Sequence, residues 1–359
     1  MNNNTPVTPR PLNHLSHDAR RRLVSAAQLR EHGVSAGRAA AQCRPGGPWQ
    51  QVLPGVYLLR QGPPTSEERL HAALLYAGRP GAESGAEVPA QPGPASPPAP
   101  GSPYGGVMIT GLAALALYGF SATPPLLSLD RIDVLVPHTR RLRSTGCARL
   151  IRTHGLPRPE EVTGVPVAPV ARAVADAVAE LSDAEAVRAL LTEAVRAGHC
   201  EPVAVVQELT EARLLGRPQV ADAVDALLAE GRSLSERRLY EMVRTYDLPE
   251  PVWNVELRRP DGPTLAGVDA YWPEQAVAVE LDTRAPRQDE RRDEREHDET
   301  VWSEYVRRRE QLERLGITVV HLTPRKLREA MEQQATVVRT ALMTADDREP
   351  AAYVIVLPR

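Results

Sequence analysis

Three carboxylates in the C-terminal third of the chain have the types and spacing to do chemistry together. Asp269 is followed, after a short turn, by the run Val277–Asp282, which contains Glu280 and ends in Asp282. Both segments have the pattern of short strands, in which successive side chains point to opposite faces. Glu280 and Asp282 are therefore expected on one face, and the two valines and Leu281 on the other. Carboxylates held this close repel one another unless a proton or a cation lies between them, and hard divalent cations such as Mg²⁺ are bound through such groups.

The composition is that of an ordinary globular protein with more than one domain. The chain has 359 residues, of which 42% are hydrophobic and 25% charged, and this length suggests two or three domains. The net charge of −3 excludes a polycation, but the charge is unevenly spread. Residues 1–60 contain eight Arg against two acidic residues, a net +6, which leaves −9 for the remainder. An arginine-rich front end indicates an anionic partner.

The cysteines and the apolar segments indicate the compartment. Cys43, Cys147 and Cys200 are far apart in the sequence, which favours buried thiols in a reducing compartment over a disulfide framework or a zinc site. The chain begins without a signal-peptide pattern, and no segment approaches the roughly 18 apolar residues of a membrane span. We therefore expect a cytoplasmic protein with no membrane partner.

Residues 16–77 predict a compact unit with the order helix, tight turn, helix, hairpin. Ser25 fits the N-cap of a short first helix placed at Val24–Leu29, and Ser35 fits the N-cap of a second helix. Pro54-Gly55 separates the two strand-like runs of the hairpin. This order is typical of a winged helix-turn-helix, whose second helix lies in the major groove of DNA.

The expected DNA contacts lie on the second helix and beside the hairpin. They are Ser35, Arg38, Arg44, Trp49 and Arg60. Contacts this few predict a modest, salt-sensitive affinity. The alternative is a protein–protein module with scattered surface arginines, but the charge asymmetry and the order of elements favour DNA.

Composition divides the whole chain into five parts and predicts a multidomain fold of the α+β and α/β classes. The parts are a disordered arm at 1–15, the winged helix-turn-helix at 16–77, a Pro/Gly-rich disordered insertion at 78–106, a largely helical middle region at 107–230 and a mixed-sheet domain at 232–345. The insertion has too little apolar surface to offset its ordering entropy. Residues 131–152 contain six Arg and one Asp and form a second basic stretch.

The last domain has the order helix, three strands, helix, strand, helix, which predicts a mixed sheet flanked by helices. Its helices are expected at Ser233–Tyr246, Thr300–Leu315 and 323–343, with a solvated, charged stretch at 284–299 before the second. Either Ser233 or Ser235 fits the N-cap of the first of these helices.

The front of the chain resembles the AbiEi-type abortive-infection antitoxins over roughly residues 18–215. The residues that carry the resemblance are Leu23–Leu29, Gly33-Val34-Ser35, Trp49, Val52–Tyr57, Leu135-Val136-Pro137 and Gly164–Val167. The Pro/Gly-rich insertion departs from the family pattern. The resemblance implies transcriptional repression through a winged helix bound to double-stranded DNA, and a cognate toxin as protein partner.

The back of the chain is similar to very-short-patch-repair-like domains of the PD-(D/E)xK nuclease superfamily. The matching residues are Ser235-Glu236, Val268–Pro273, Val279–Asp282 and Leu315–Val319. By that resemblance Asp269 and Glu280 would hold Mg²⁺ or Mn²⁺, and Glu236 would lie above them. Asp282 stands where the superfamily carries Lys; an acid lacks the positive charge of lysine, although it could be a further metal ligand.

The leading hypothesis is a DNA-binding, antitoxin-like transcriptional regulator that carries a nuclease-like domain, linked to phage defence or to a toxin–antitoxin pair. A Mg²⁺-dependent DNA endonuclease, with Glu236, Asp269, Glu280 and Asp282 as its catalytic residues, is the alternative enzyme. A protein-interaction scaffold with a degenerate nuclease fold is the third reading. A homodimer would raise the affinity for DNA.

Overall fold

The computed structural model describes residues 22–79, 104–260, 262–282, 307, 310–345 and 354–358. The described residues form a mixed α+β protein. It splits into two compact units, unit 1 with Met1–Ala194 and Glu208–Ala223, and unit 2 with Val195–Gln207 and Val224–Arg359. The predicted arm at 1–15, most of the insertion, the stretch at 284–299 and most of the helix expected after it lie outside the described residues. In the described ranges, no helix combines the length and the apolar character needed to cross a bilayer.

The first elements of unit 1 form a three-stranded antiparallel sheet with two short helices. They are β1 (Leu23–Ser25), α1 (Ala26–Glu31), α2 (Ala36–Gln42), β2 (Gln50–Leu53) and β3 (Val56–Leu58), and the strand order is β1-β3-β2. Leu23–Ser25 is therefore a strand, whereas the sequence placed Val24 and Ser25 in the first helix. The reason is that Leu23 and Val24 are buried and pair with β3. The predicted N-caps are confirmed, since the side chains of Ser25 and Ser35 accept hydrogen bonds from the first turns of α1 and α2.

A second sheet of unit 1 follows the helix α3. In chain order, the elements that follow are α3 (Ser66–Ala77), β4 (Met108–Thr110), α4 (Gly111–Leu117), β5 (Ile132–Pro137), β6 (Ala148–Thr153), β7 (Glu160–Val162), β8 (Val165–Val167), α5 (Val170–Glu180), α6 (Ala184–Arg196) and α7 (Pro202–Glu211). The residues of α7 up to Gln207 belong to unit 2. The strand order is β6-β5-β4-β8-β7, with the β5–β6 and β4–β8 pairs parallel. The middle region is thus less helical than expected, because β4, β7 and β8 are too short to show an alternating pattern.

A charged pair joins the edge strand β6 to β5 in this second sheet. Asp133 on β5 lies opposite Arg149 on β6, and Arg149 Nε and Nη2 donate to the two carboxylate oxygens at 2.6 and 2.7 Å. These hydrogen bonds raise the pKa of Arg149. Gly111, which has a φ of +63°, passes so close to Asp133 that an added Cβ would lie 2.6 Å from Oδ2. The pair therefore needs both its partner strand and a glycine at the start of α4.

The helix α8 (Pro218–Thr245) runs without a break through the expected domain boundary at residue 231. The prediction of a separate helix that begins at Ser233 was wrong. Ser235 is not an N-cap, because its hydroxyl donates to the carbonyl of Gly231 at 2.9 Å, one turn earlier in the same helix. Position 231 has room only for glycine, since a Cβ there would lie 2.3 Å from Pro202 Cγ.

Unit 2 contains a mixed five-stranded sheet of order β12-β11-β10-β9-β13. Its elements are β9 (Val252–Arg258), β10 (Thr264–Trp272), β11 (Val277–Leu281), β12 (Thr318–Leu322), α9 (Pro324–Glu329), α10 (Met331–Ala345) and β13 (Ile355–Pro358). Among the strand pairs of this sheet that the structure describes, β11–β12 is parallel and the other three are antiparallel. The expected last helix is two helices that meet at Ala330. The strand β13 lies beyond the predicted end of the domain.

Candidate nucleic-acid interface and carboxylate cluster

Three of the predicted DNA contacts lie together on or beside α2. Ser35 Oγ accepts a hydrogen bond from the backbone N–H of Arg38 at 3.3 Å and so caps the helix. Arg38 in the first turn and Arg44 just after the helix are both exposed. In the part of the chain that is described, neither guanidinium forms an ion pair with a carboxylate. Both charges are therefore available to an anionic partner.

The other two predicted contacts, Trp49 and Arg60, hold the fold of the hairpin. Trp49 is half-buried and packs against the small core around Val24 and Leu29. Arg60 donates from Nη1 to the carbonyl of Gln61 at 3.0 Å and from Nε to Glu68 Oε1 at 3.0 Å. We therefore assign both residues a structural role, because the Arg60 guanidinium is bonded within the unit and the Trp49 ring packs on its core.

Glu68 is the partner that turns Arg60 inward. Glu68 is 1% exposed, and it also accepts a hydrogen bond from the backbone N–H of Thr65 at 2.8 Å. Burial by itself would raise the pKa of Glu68, but the hydrogen bonds from Arg60 and Thr65 outweigh it, so the pKa is lowered. The ionised carboxylate is thus the stable form in the folded protein.

An open concavity of about 500 Å³ lies between the end of α2 and the start of β2. It is lined by Ala40, Cys43, Arg44, Pro45, Gly46, Trp49, Gln50, Gln51 and Gln61. The amides of Gln50 and Gln61 donate to backbone carbonyls within the unit, so the Arg44 guanidinium and the amide of the exposed Gln51 are the groups here that can meet phosphate oxygens. Gln61 Nε2 donates to the carbonyl of Trp49 at 2.8 Å, which fixes the floor of the concavity. Arg and Gln side chains in such places contact the DNA backbone.

Five arginines lie just after α3, on the loop between β5 and β6, and on β6 itself. This arginine surface consists of Arg79, Arg140, Arg141, Arg143 and Arg152. The loop is braced from both sides: Arg152 Nε donates to the carbonyl of Arg140 at 3.1 Å, and the hydroxyl of Tyr76 donates to the carbonyl of Arg143 at 2.6 Å. His138, which follows β5, and His154, which follows β6, stack with ring centroids 4.3 Å apart.

The arginine surface adjoins the β2–β3 turn within unit 1. An added Cβ on Gly55, in that turn, would lie 2.6 Å from Arg79 Nη1, and one on Gly146 would lie 2.8 Å from Leu53 Cδ2. The count of arginines at 131–152 indicated a basic stretch, but only the fold brings it beside the hairpin. These arginines were not among the predicted contacts.

In unit 2, Asp269 lies where the pairing of β10 with β11 stops. The last paired residues are Ala270 and Val279. Beyond them the Asp269 side chain supplies the acceptor, since its Oδ2 accepts a hydrogen bond from the backbone N–H of Leu281 at 2.7 Å. Asp269 is only 8% exposed. A carboxylate thus takes the place of a backbone carbonyl in the sheet.

Arg232 on α8 lies between two of the predicted catalytic carboxylates. Its Nε donates to Glu236 Oε1 at 3.0 Å, and its Nη2 donates to Asp269 Oδ1 at 3.4 Å. One turn further along α8, the ring of Tyr240 contacts that of Trp253 with centroids 4.0 Å apart. Burial raises the pKa of Tyr240, and the charges of Glu236 and Asp269 raise it further. The Arg232–Glu236 spacing of four residues was the sequence signal for this pair.

Glu280 lies next to β12. In the parallel pairing of β11 with β12 it is opposite His321, and Glu280 Oε2 lies 3.5 Å from His321 Nδ1. Asp282 follows the end of β11, where its backbone N–H continues the pairing with β12. The predicted alternation is confirmed, since the valines and Leu281 join one core cluster while Ala278 joins the other.

The carboxylates in this arrangement do not fit the divalent metal that the nuclease superfamily implies. In the described ranges, no three or more His, Cys, Asp or Glu side chains are arranged to hold a metal ion. Asp269 meets an N–H donor at each of its oxygens, from Arg232 and from Leu281. These donors satisfy the buried charge without a cation. We therefore assign Asp269 a role in holding the sheet and α8 together.

No protein-family model matches this chain, and no curated protein matches it either.

Proposed function

We propose that this protein binds double-stranded DNA as a transcriptional regulator, with unit 1 as its DNA-binding part. The elements β1, α1, α2, β2 and β3 follow the order of a winged helix-turn-helix, and the antiparallel order β1-β3-β2 fits the same fold. In that arrangement α2 enters the major groove, and the β2–β3 turn lies over the neighbouring backbone.

The observation that carries the proposal is exposed positive charge at two places in one unit. Arg38 and Arg44 are exposed at α2, and Arg141 and Arg143 are exposed on the loop beside the β2–β3 turn. DNA carries about one negative charge per 1.7 Å of its axis, so arginines spread in this way can neutralise several phosphates. The braced loop loses little conformational entropy on binding, which favours affinity.

The antitoxin role extends the proposal. As an antitoxin, the chain represses its own promoter and pairs with a cognate toxin. A dimer on a palindromic operator would raise the affinity for DNA. Its support is the resemblance of residues 18–215 to the AbiEi-type antitoxins. A metal-dependent cleavage step has no such support from the carboxylate cluster.

A binding titration tests the proposal. The full chain is titrated against labelled duplex from upstream of its own gene and against a shuffled duplex of equal composition, from about 50 to about 200 mM salt. We expect binding to both, tighter to the first, with an affinity that falls linearly on a log–log plot against salt. Arg143→Ala should weaken binding to both duplexes alike and lower the salt slope by about 1.

Arg188→Ala is the matched control. Arg188 is an exposed arginine on α6 that pairs with Glu185 at 3.7 Å, so the variant loses the same charge away from the proposed surface. It should bind like the wild type. If the wild-type chain binds neither duplex at the lowest salt, or if both variants weaken binding equally, the proposal is wrong.

A further inference from the structure

Resting on the proposed DNA binding, we propose that α2 selects its site by one guanine, read by Arg38, with thymine methyl groups as the neighbouring contacts. The major groove presents a different set of donors, acceptors and methyl groups for each base pair. The side chains that α2 can offer to that groove therefore limit which bases it can recognise.

The outward side chains of α2 are small except for the arginines. The exposed residues of the helix are Ala36, Gly37, Arg38, Ala40 and Ala41, and Arg44 follows the helix. Asn and Gln read adenine, and Asp and Glu read cytosine, but the exposed face of α2 carries none of these four types. Its one Gln, Gln42, is half-buried. Ser35 Oγ is engaged as the N-cap. Arginine remains, and it binds the O6 and N7 acceptors of guanine.

The small residues bring the helix close to the bases. An added Cβ on Gly37 would meet no atom within 4 Å, so this part of α2 faces open space. Alanine methyl groups make apolar contact with the C5-methyl of thymine. Guanine flanked by thymine is therefore the sequence that this surface can distinguish best.

The two arginines have different places and hence different roles. Arg38 is in the first turn of α2, and the N-terminal residues of a recognition helix are those that reach base edges. Arg44 lies after the helix on the wall of the concavity, next to the amides of Gln50 and Gln51. That setting favours a phosphate contact, which fixes position without reading sequence.

Selection from a random duplex pool tests the inference. The full wild-type chain should enrich sites with an invariant guanine, and Arg38→Ala should lose roughly 10- to 100-fold of the discrimination at that position. Arg44→Ala is the matched variant, and it should weaken binding to all sequences while the guanine preference stays. Thermal unfolding of both variants checks that they fold.

Modified bases provide a second measurement that does not depend on a protein variant. In the best selected duplex, 7-deazaguanine removes the N7 acceptor, and inosine removes only the minor-groove amino group. Wild type should bind the first duplex more weakly than the unmodified one, because O6 remains but N7 is lost, and should bind the second normally. Arg38→Ala should bind the first and the unmodified duplex alike.

The failure outcomes are distinguishable. If the wild-type chain retains DNA but shows no guanine preference, or if 7-deazaguanine is tolerated, this inference is wrong and the proposed DNA binding stands. If no duplex is retained at low salt, the proposed function fails and takes the inference with it.

Discussion

Arg60 and Glu68 form a two-point ion pair between the end of the β2–β3 hairpin and the start of α3. Arg60 Nε donates to Glu68 Oε1 at 3.0 Å, and Nη2 donates to Oε2. The same carboxylate completes a capping box with Thr65. One buried acid therefore fixes both the position of the hairpin and the first turn of the helix.

Replacing Glu68 with Gln should destabilise unit 1 by about 1–3 kcal/mol, because charge-assisted hydrogen bonds are lost at a buried site. The folded-state pKa of Glu68 is lowered, since the hydrogen bonds from Arg60 and Thr65 outweigh burial. The stability contributed by the ionised Glu68 is therefore complete above the unfolded-state pKa of about 4.3. It is lost as the pH falls through the lowered pKa of the folded state. Urea unfolding from neutral pH to about pH 3 should show a smaller acid loss for Glu68→Gln than for wild type. Equal losses would contradict this role.

Replacing Arg149, which pairs with Asp133 in the second sheet, should lower the free energy of unfolding more than replacing an exposed arginine. Arg149→Met leaves the Asp133 carboxylate buried without its ion-pair partner, which typically costs about 3–5 kcal/mol. Arg152→Met on the same strand breaks bonds only to the carbonyls of Arg140 and Leu142 and should stay within about 1 kcal/mol. Adding Asp133→Asn to Arg149→Met should recover part of the loss. Equilibrium unfolding of the four proteins gives these differences, and equal costs for the two single Arg variants would refute the assignment.

Gly111, the first residue of α4, and Gly119, just after it, allow the cost of backbone strain to be distinguished from the cost of a steric clash. Gly111 and Gly119 have φ values of +63° and +86°, so alanine at either should cost about 1–3 kcal/mol. Only at Gly111 would the new Cβ meet an atom, 2.6 Å from Asp133 Oδ2, while Gly119 faces open space. Gly111→Ala should therefore be worse than Gly119→Ala by at least about 1 kcal/mol. Thermal unfolding of both variants measures the difference, and a larger loss at Gly119 would show that the clash is relieved.

Asp269→Ala should lose more stability than Asp269→Asn, because the Asp269 side chain bonds both to the N–H of Leu281 and to Arg232. Asp269→Ala leaves the N–H of Leu281 without its acceptor, at about 1–3 kcal/mol. Asp269→Asn keeps an acceptor for that N–H and removes the ion pair with Arg232, whose side chain is 47% exposed; that pair contributes no more than about 1 kcal/mol. Chemical denaturation of unit 2 in the full chain gives both values. Equal losses would mean that the backbone bond contributes little.

Magnesium should leave the stability of the folded chain unchanged. A ligand that binds only the folded state raises the free energy of unfolding by about 2.7 kcal/mol at a hundred times its Kd. We expect no such rise with Mg²⁺, because both oxygens of Asp269 already accept hydrogen bonds from N–H groups. We expect the same Tm with Mg²⁺, with Mn²⁺ and with chelator. A rise in Tm that Asp269→Asn abolishes would restore the metal site implied by the nuclease resemblance.

Local features were predictable from the sequence, because their causes lie within a few residues. The helix Ser66–Ala77 and the N-caps Ser25 and Ser35 depend on side-chain bonds to backbone three residues away. The short strands β4 and β13 depend on partners far along the chain. The glycine inside α8, at position 231, depends on Pro202, which leaves no room for a Cβ there. No local pattern encodes such contacts.

The candidate sites divide in the same way. Arg38 and Arg44 are exposed as expected, because an N-capped helix places them by its own geometry. Arg60 was expected to contact DNA, but it pairs with the buried Glu68 instead. The sequence alone does not show which of two anionic partners, a carboxylate of the same unit or a DNA phosphate, an arginine will bind. Arg232 reaches Asp269 across 37 positions of the chain, a pairing that only tertiary structure provides.

The bond between the Asp269 carboxylate and the N–H of Leu281 makes a single amide a reporter for unit 2. Most amides in a sheet are protected by backbone carbonyls, whereas this one is protected by a side chain. Hydrogen exchange at Leu281 should therefore respond to any event that displaces that carboxylate. The movement of α8 against its sheet could be followed at one resonance, without a label.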